Sequence, residues 1–264
     1  MKQVDEPQVF LVGITKSVPE GIQAYLDSIN NPEWVPDENV SEGETLAEMA
    51  GRMCYRSWQP YDENNKEGTN KNVKNVRRGN KEYIGNVIKS GHGSVLEHIN
   101  MSFIIKDISR VFSHQLVRHR AGMAYSQESL RYVRLDELKF WIPELLKEKS
   151  ENYIHHVVEY LEQVQTQLQK DYDIDNITDF NMKKMLTSAF RRVAPIGLAT
   201  SIFVTGNIRA WRHILEIRSS IHAEEEIRLV AKKIGIICKK EFPNFFQDMK
   251  LNENNEWIFE KSKV

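Results

Sequence analysis

The 264-residue sequence is short of three things: cysteine, net charge and long apolar runs. Each shortage excludes a class of protein. Two cysteines, Cys54 and Cys238, are too few for a disulfide framework and suit a reducing compartment, so a cytoplasmic protein is expected. Lys and Arg number 36 against 37 Asp and Glu, a formal net charge of -1. No overall field draws the chain to nucleic acid or to an acidic membrane surface, and any anion binding has to be local. The longest early apolar run, Val9 to Val12, is only strand-sized, and no window is long enough to span a bilayer. The stretch from Met1 to Val9 has no signal-peptide core. Neither a membrane nor a nucleic acid is expected as a partner.

What is present is enough apolar residue, 41% of the chain, to bury a full core, and no fixed-period repeat or linker divides it. One domain over residues 1–264 is expected. Val9 to Ile14 reads as a buried strand, Glu20 to Ile29 as a short helix and Thr45 to Tyr55 as a second. From Gln59 to Lys81 the composition is that of a solvated loop running into a polar helix start. Ile99, Met101, Phe103 and Ile105 alternate with polar residues, which predicts a half-buried strand from His98 to Ile108, and a helix after it turns Val111, Phe112 and Leu116 inward. Between Pro143 and Lys170 the residues Ile154, Val157, Leu161, Val164 and Leu168 form an apolar helical stripe. A helix through Met185 and Phe190, a strand over Ala199 to Val204 and two closing helices complete the reading. Strands and helices interleave without regular βαβ spacing, so the expected fold is α+β, with a central antiparallel or mixed sheet flanked by helices.

The densest polar constellation is Gln115-Leu116-Val117-Arg118-His119-Arg120, followed by Tyr125-Ser126-Gln127-Glu128-Ser129-Leu130-Arg131-Tyr132. Its guanidinium forks suit phosphate and carbonyl oxygens, and Ala121 to Ala124 leave room for a ligand to approach the backbone. The competing reading is a solvated basic helix end. A second cluster comprises Arg191, Pro195, Asn207-Ile208-Arg209-Ala210-Trp211-Arg212-His213, Arg218 and His222-Ala223-Glu224. Asn207 and Arg218 are eleven positions apart, about three helical turns, and so fall nearly in line on one helix face. In His92-Gly93-Ser94-Val95-Leu96-Glu97-His98 a loop running into a strand does not guarantee metal-ligand geometry, and Leu96 stands where a dinucleotide fingerprint needs its third glycine. No metal site is expected.

The Arg118-His119-Arg120 triplet with Ser129 and Arg131-Tyr132 resembles the signature of the flavin-dependent thymidylate synthases, with one residue more between Arg120 and Ser129 than the family's commonest spacing. The second cluster, the His92 to His98 segment and Ala50-Gly51-Arg52-Met53-Cys54-Tyr55 resemble the same family, in the same order. The likeness is strongest over residues 50–232. It implies reductive methylation of dUMP to dTMP, with FAD as cofactor, 5,10-methylenetetrahydrofolate as carbon donor and NADPH as reductant. It further implies a homotetramer with its sites at subunit interfaces. By resemblance, Arg218 is the catalytic residue, and dUMP is bound by Gln115, Arg118, Gln127, Ser129, Arg131, Arg191 and Arg218. FAD is bound by Cys54, His92, Ser94, Arg118, His119, Arg120, Asn207, Arg209, His213 and His222. Gln127 stands where the family often has an acid, and Ser129 has no general base beside it, which assigns it to binding rather than attack.

Two other readings use the same residues. A nucleic-acid-binding module would place phosphates on the arginines and stack bases on Tyr125 and Tyr132, but it calls for an extended basic face that balanced charge does not provide. A relative modifying another pyrimidine nucleotide would differ only in the aim of a few donors around Arg218 and Arg131.

Overall fold

The computed structural model describes residues 2–73, 75–132, 137–262 and 264. Along the chain, β1 (Lys2–Val4), β2 (Gln8–Ile14), α1 (Pro19–Ser28), α2 (Glu42–Tyr55) and α3 (Asn80–Lys89) lead through a 3-10 turn, Gly93–His98, into β3 (Asn100–Ser109). There follow α4 (Arg110–Leu116), β4 (Met123–Gln127), β5 (Lys139–Trp141), α5 (Glu144–Asp171) and α6 (Phe180–Phe190). The chain closes with β6 (Ala199–Asn207), α7 (Ile208–Arg218), α8 (Glu225–Glu241), β7 (Met249–Leu251) and β8 (Trp257–Phe259).

The central sheet has the order β2-β3-β6-β4, and every pair in it is antiparallel. This is the expected α+β arrangement, and the sheet is the antiparallel one of the two forms anticipated. The period-two pattern of β3 turns Met101, Phe103 and Ile105 into the main core, where Ile202 and Val204 of β6 join them. Trp211 of α7 closes on that face, edge-on to Phe103 at 5.1 Å, and its indole N–H reaches the Met101 carbonyl at 3.3 Å. The opposite face is not covered among the described residues. Phe10, Ile104 and Phe203 form one cross-strand row there, each more than a third exposed, beside a 2.8 Å hydroxyl pair of Ser102 and Thr205.

Helix ends follow local chemistry. Ser41 and Glu44 form a capping box at the start of α2, and Asn207 caps α7 by accepting from the Ala210 N–H at 2.8 Å. The tail beyond Phe242 is structural. Phe245, Phe246 and Met249 are fully buried, and Asp248 holds the buried Arg212 through two bonds of 2.7 and 2.8 Å.

Two expectations are corrected. Ile154 and Leu161 of the expected α5 stripe pack inward beside the buried Val158 and Gln165, whereas Val157 is more than half exposed. Gln165 belongs inside because its side-chain amide donates to the Phe190 carbonyl at 3.0 Å, so a polar residue occupies an inward position of the stripe. The stretch from Gln59 onward is a loop, yet Asn65 and Thr69 are buried in it. It is tied by side-chain-to-backbone bonds, Asn65 to the Asn30 carbonyl at 2.9 Å and Thr69 to the Asn65 carbonyl, rather than by apolar packing. Of the two free thiols, Cys54 is exposed and Cys238 is buried.

Candidate active site

The short helix α4 is the axis of the site. Its cap, Ser109, accepts from the Phe112 N–H at 3.1 Å, and Ser109 itself is gripped by Glu226 of α8 through its backbone N–H at 2.6 Å and its hydroxyl. Burial pushes the Glu226 carboxyl up to about 7. Beyond α4 the chain passes through Arg118 to Arg120 and turns back at Gly122 into β4. Gly122 has φ +70, and a Cβ there would lie 2.4 Å from the Asn207 side-chain nitrogen. Its carbonyl accepts from the Asn207 backbone N–H at 3.0 Å, so glycine lets the turn close against the start of α7. Tyr125 of β4 stitches the turn, donating to the His119 carbonyl at 2.6 Å and the Leu116 carbonyl at 3.1 Å. Burial raises this phenol to about 12, which keeps it a donor.

The two polar clusters of the sequence meet here. Arg218, the last residue of α7, donates from Nε to His119 Nε2 at 2.8 Å, and its other two nitrogens reach Gln115 Oε1 at 3.4 Å and the Gln115 carbonyl at 3.3 Å. An imidazole nitrogen can accept only when it carries no proton, so His119 is neutral with its proton on Nδ1. Burial first, then the charges of Arg218 and His213, push His119 down from 6.5 to about 4. The His213 ring lies 5.9 Å away, edge to face. Arg218 has five N–H donors, and three are used inside the protein; two remain for a ligand.

A pH dependence follows from His119. Between pH 6.5 and about 4 the unfolded chain takes up a proton at this position that the folded chain refuses. Its contribution to stability is therefore complete above pH 6.5 and declines as the pH falls toward 4. Urea midpoints measured at pH 7.5 and pH 5 are expected to fall further for the wild type than for His119→Gln, which keeps an acceptor and cannot titrate. Equal falls would show that His119 is already protonated in the folded state.

A second constellation lies at the other end of α4. A cavity of about 900 Å³ is lined by Arg110, Arg131, Lys184, Arg191 and Arg192, and no Asp or Glu lines it. Arg131 and Arg191 were expected from the sequence; Arg110, Lys184 and Arg192 were not. Lys184 was findable, since Lys184, Ser188 and Arg191 recur at helical spacing along the end of α6. Arg110 gave no such signal. Its Nε is buried without a partner while Nη2 donates to the Glu128 carbonyl at 3.1 Å, and burial lowers its pKa. Ser129 is not among the lining residues, but it precedes the lining Leu130 and Arg131, and its Oγ accepts from the Arg131 N–H at 3.2 Å.

The remaining candidates are scattered more widely. Arg118 and Arg120 are exposed, with neither an ion pair nor a side-chain hydrogen bond among the described residues. Gln127 is turned back to Ser113 of α4, donating to its hydroxyl at 2.9 Å. Ser94 is exposed on the 3-10 turn, which packs against both α2 and α7, and Cys54 is exposed near the end of α2. His92 meets Tyr55, and His222 is exposed beyond α7. Arg209 donates to Glu97 at 2.5 Å and to the Val264 carbonyl at 2.6 Å, which uses two of its five N–H groups.

Comparison with known proteins assigns the family. Residues 38–244 match the family described as thymidylate synthase complementing protein. The flavin-dependent thymidylate synthase of Mycobacteroides abscessus is 34% identical over 247 residues, covering 88% of this chain and 90% of the relative. That of Corynebacterium aurimucosum is 29% identical over 261 residues, 94% and 93%. That of Mycobacterium bovis is 36% identical over 225 residues, 80% and 82%. With the Arg118-His119-Arg120 turn docked on Arg218 in an α+β fold, the chain belongs to the family of the flavin-dependent thymidylate synthases.

Proposed function

We propose that the protein converts dUMP to dTMP, using FAD as cofactor, 5,10-methylenetetrahydrofolate as carbon donor and NADPH as reductant, and releasing tetrahydrofolate. The observation that carries the reading is the joint of Arg218 with His119 and Gln115, which leaves two guanidinium N–H groups free beside a turn bearing two unpaired arginines.

The residues present fit the cofactor. Arg118 and Arg120 offer guanidinium forks that no carboxylate neutralises among the described residues, which suits a diphosphate. His119, Asn207 and His213 border the same turn, and Ser94, Cys54, His92 and His222 are the further contacts that the family resemblance supplies. Arg209 uses two of its five donors on Glu97 and the Val264 carbonyl and keeps the others for the cofactor. FAD, when bound, supplies the hydride that turns a transferred methylene group into methyl. The chain's own part is positioning and electrostatics. Arg218 donates to the uracil and stabilises negative charge as the ring is activated, and neutral His119 keeps that guanidinium aimed. Arg131 and Arg191 hold the phosphate with Ser129, and Arg110 and Lys184 add charge to the same cavity. Arg110 and Gln115 are separated by about 8 Å of helical rise, so one nucleotide lying along α4 reaches both ends.

Product analysis with dUMP and dCMP side by side tests the substrate. dTMP from dUMP alone is expected; turnover of dCMP in preference would move the assignment to a different pyrimidine. In the same assay Arg191→Ala should raise the KM for dUMP about ten- to a hundredfold, the worth of a charge-assisted bond to phosphate, with a much smaller change in kcat. An unchanged KM would take the phosphate out of this cavity.

The active form in this reading is a homotetramer in the cytoplasm. Two apolar surfaces support the assembly: the uncovered sheet face with Phe10, Ile104 and Phe203, and the outer side of α5 with Tyr153, Val157 and Tyr160. Both thiols are free, as a reducing compartment requires, and no described helix is long and apolar enough to cross a membrane. Gel filtration with activity read across the peak tests the assembly, and full specific activity in a monomer fraction would rule it out.

A further inference from the structure

Three consecutive glutamates, Glu224-Glu225-Glu226, stand where α8 begins, and each serves the start of a different helix. Glu224 caps α8 itself, accepting from the Glu226 and Ile227 N–H groups at 3.0 and 3.4 Å. Glu225 accepts from the Glu144 N–H at 3.0 Å, where α5 begins behind Pro143 without a side-chain cap. Glu226 holds the start of α4 by its grip on the backbone N–H and the hydroxyl of Ser109. N–H groups at a helix start have no partner within the helix, which gives three adjacent carboxylates separate work to do.

Glu226 differs from the other two in what lies beyond it. It is 1% exposed, makes no ion pair among the described residues, and spends both carboxyl oxygens on Ser109. Arg110 is the next residue and the first of α4. After it, Val111 donates its N–H to the carbonyl of Ile196 at 3.2 Å, and Ile196 lines the cationic cavity together with Arg110. Arg110 is thus strung between two tethers, one to α8 and one to the cavity wall. Its buried, unpartnered Nε does nothing to fix its direction, so the aim of the guanidinium depends on where the first turn of α4 is held. A hydrogen bond to phosphate weakens steeply once its length or angle drifts.

We infer that Glu226 is a positioning residue for nucleotide binding: through Ser109 it sets the first turn of α4, and with it Arg110, against the phosphate of dUMP. The inference rests on the proposed function, in which that phosphate lies in the cationic cavity. Placement matters here more than charge. Burial holds the carboxyl at about 7, so near neutral pH an uncharged side chain of the same length is close to a state the protein already occupies.

The test compares the flavin-loaded wild type with Glu226→Asp, Glu226→Gln, Arg110→Ala and the double variant Glu226→Asp with Arg110→Ala, each well below its Tm. The Kd for dUMP is read by calorimetry, with kcat and flavin content on the same samples. Glu226→Asp keeps the charge but is one carbon shorter, and it is expected to raise the Kd about tenfold, the scale of a lost charge-assisted bond. Its kcat should stay within a few-fold of wild type and its flavin content unchanged, because the bonds of Arg218 to His119 and Gln115 lie at the other end of α4. Glu226→Gln keeps the length, with its oxygen accepting from the Ser109 N–H and its amide donating to the hydroxyl oxygen, and should bind dUMP within about threefold of wild type. In the Arg110→Ala background Glu226→Asp should add less than about threefold, since the guanidinium it places is gone. A wild-type Kd in Glu226→Asp would overturn the inference, as would a Gln variant as weak as the Asp variant, or the full Asp effect without Arg110. Loss of flavin together with dUMP in Glu226→Asp would also overturn it, because the whole site would then have loosened. Failure of the proposed function looks different: the wild type itself would take up neither flavin nor dUMP, and the inference would fall with it.

Discussion

Arg218→Ala is expected to lower kcat for dTMP formation about 10²- to 10³-fold, the usual cost of removing a donor aimed at developing charge. Flavin content should stay near that of the wild type, since the unpaired Arg118 and Arg120 are untouched. The fold should also survive, because Arg218 and His119 are only half-buried and the partners left behind can meet water. Arg218→Lys makes the result specific. It keeps the charge but lacks the planar fork that spans His119 and Gln115 at once, so it should rescue little activity. Steady-state kinetics with flavin absorbance on the same samples check this; near-normal turnover in Arg218→Ala would remove the residue from its role.

The second large effect falls on stability. Asp248→Ala leaves the Arg212 guanidinium, 4% exposed, without its carboxylate, and breaking a buried pair in this way costs about 3–5 kcal/mol. For a domain of this size that corresponds to a fall of roughly 10 °C in Tm. Arg212 lies 4.5 Å over the Phe259 ring and donates to the Phe245 carbonyl at 2.6 Å, so the loss loosens the tail against α7. The active-site end of α7 keeps its own bonds to His119 and Gln115. Calorimetry should therefore show a lower Tm, and assays well below it should show kcat within a few-fold of wild type. An unchanged Tm would mean that Arg212 finds solvent or another acceptor.

Much of this was legible in the sequence where a local pattern carries it. The alternation of Ile99, Met101, Phe103 and Ile105 marked β3, and the Arg118-His119-Arg120 and Asn207 to Arg218 segments marked two parts of one site. The α5 stripe was legible at Ile154 and Leu161, but not at Val157 or Gln165, because the burial of Gln165 depends on a carbonyl in a different helix. The three-residue strands β1, β5, β7 and β8 have no pattern of their own length and exist through their pairing. The cationic cavity draws on α4, α6 and the segment after β4, so no single stretch of sequence displayed it. Arg209 had the motif position of a ligand residue, yet its geometry is fixed by Glu97 and Val264, which lie 112 and 55 positions away.

The central claim is that flavin, reductant and dUMP converge on the turn that joins Arg118-His119-Arg120 to Arg218. The visible absorption spectrum of the purified protein, followed by anaerobic addition of NADPH with and without dUMP, tests it most directly. Flavin bands that bleach with NADPH, and faster when dUMP is present, are the expected result. A protein that stays colourless after incubation with FAD would contradict the account and leave the two arginine clusters as an anion-binding surface.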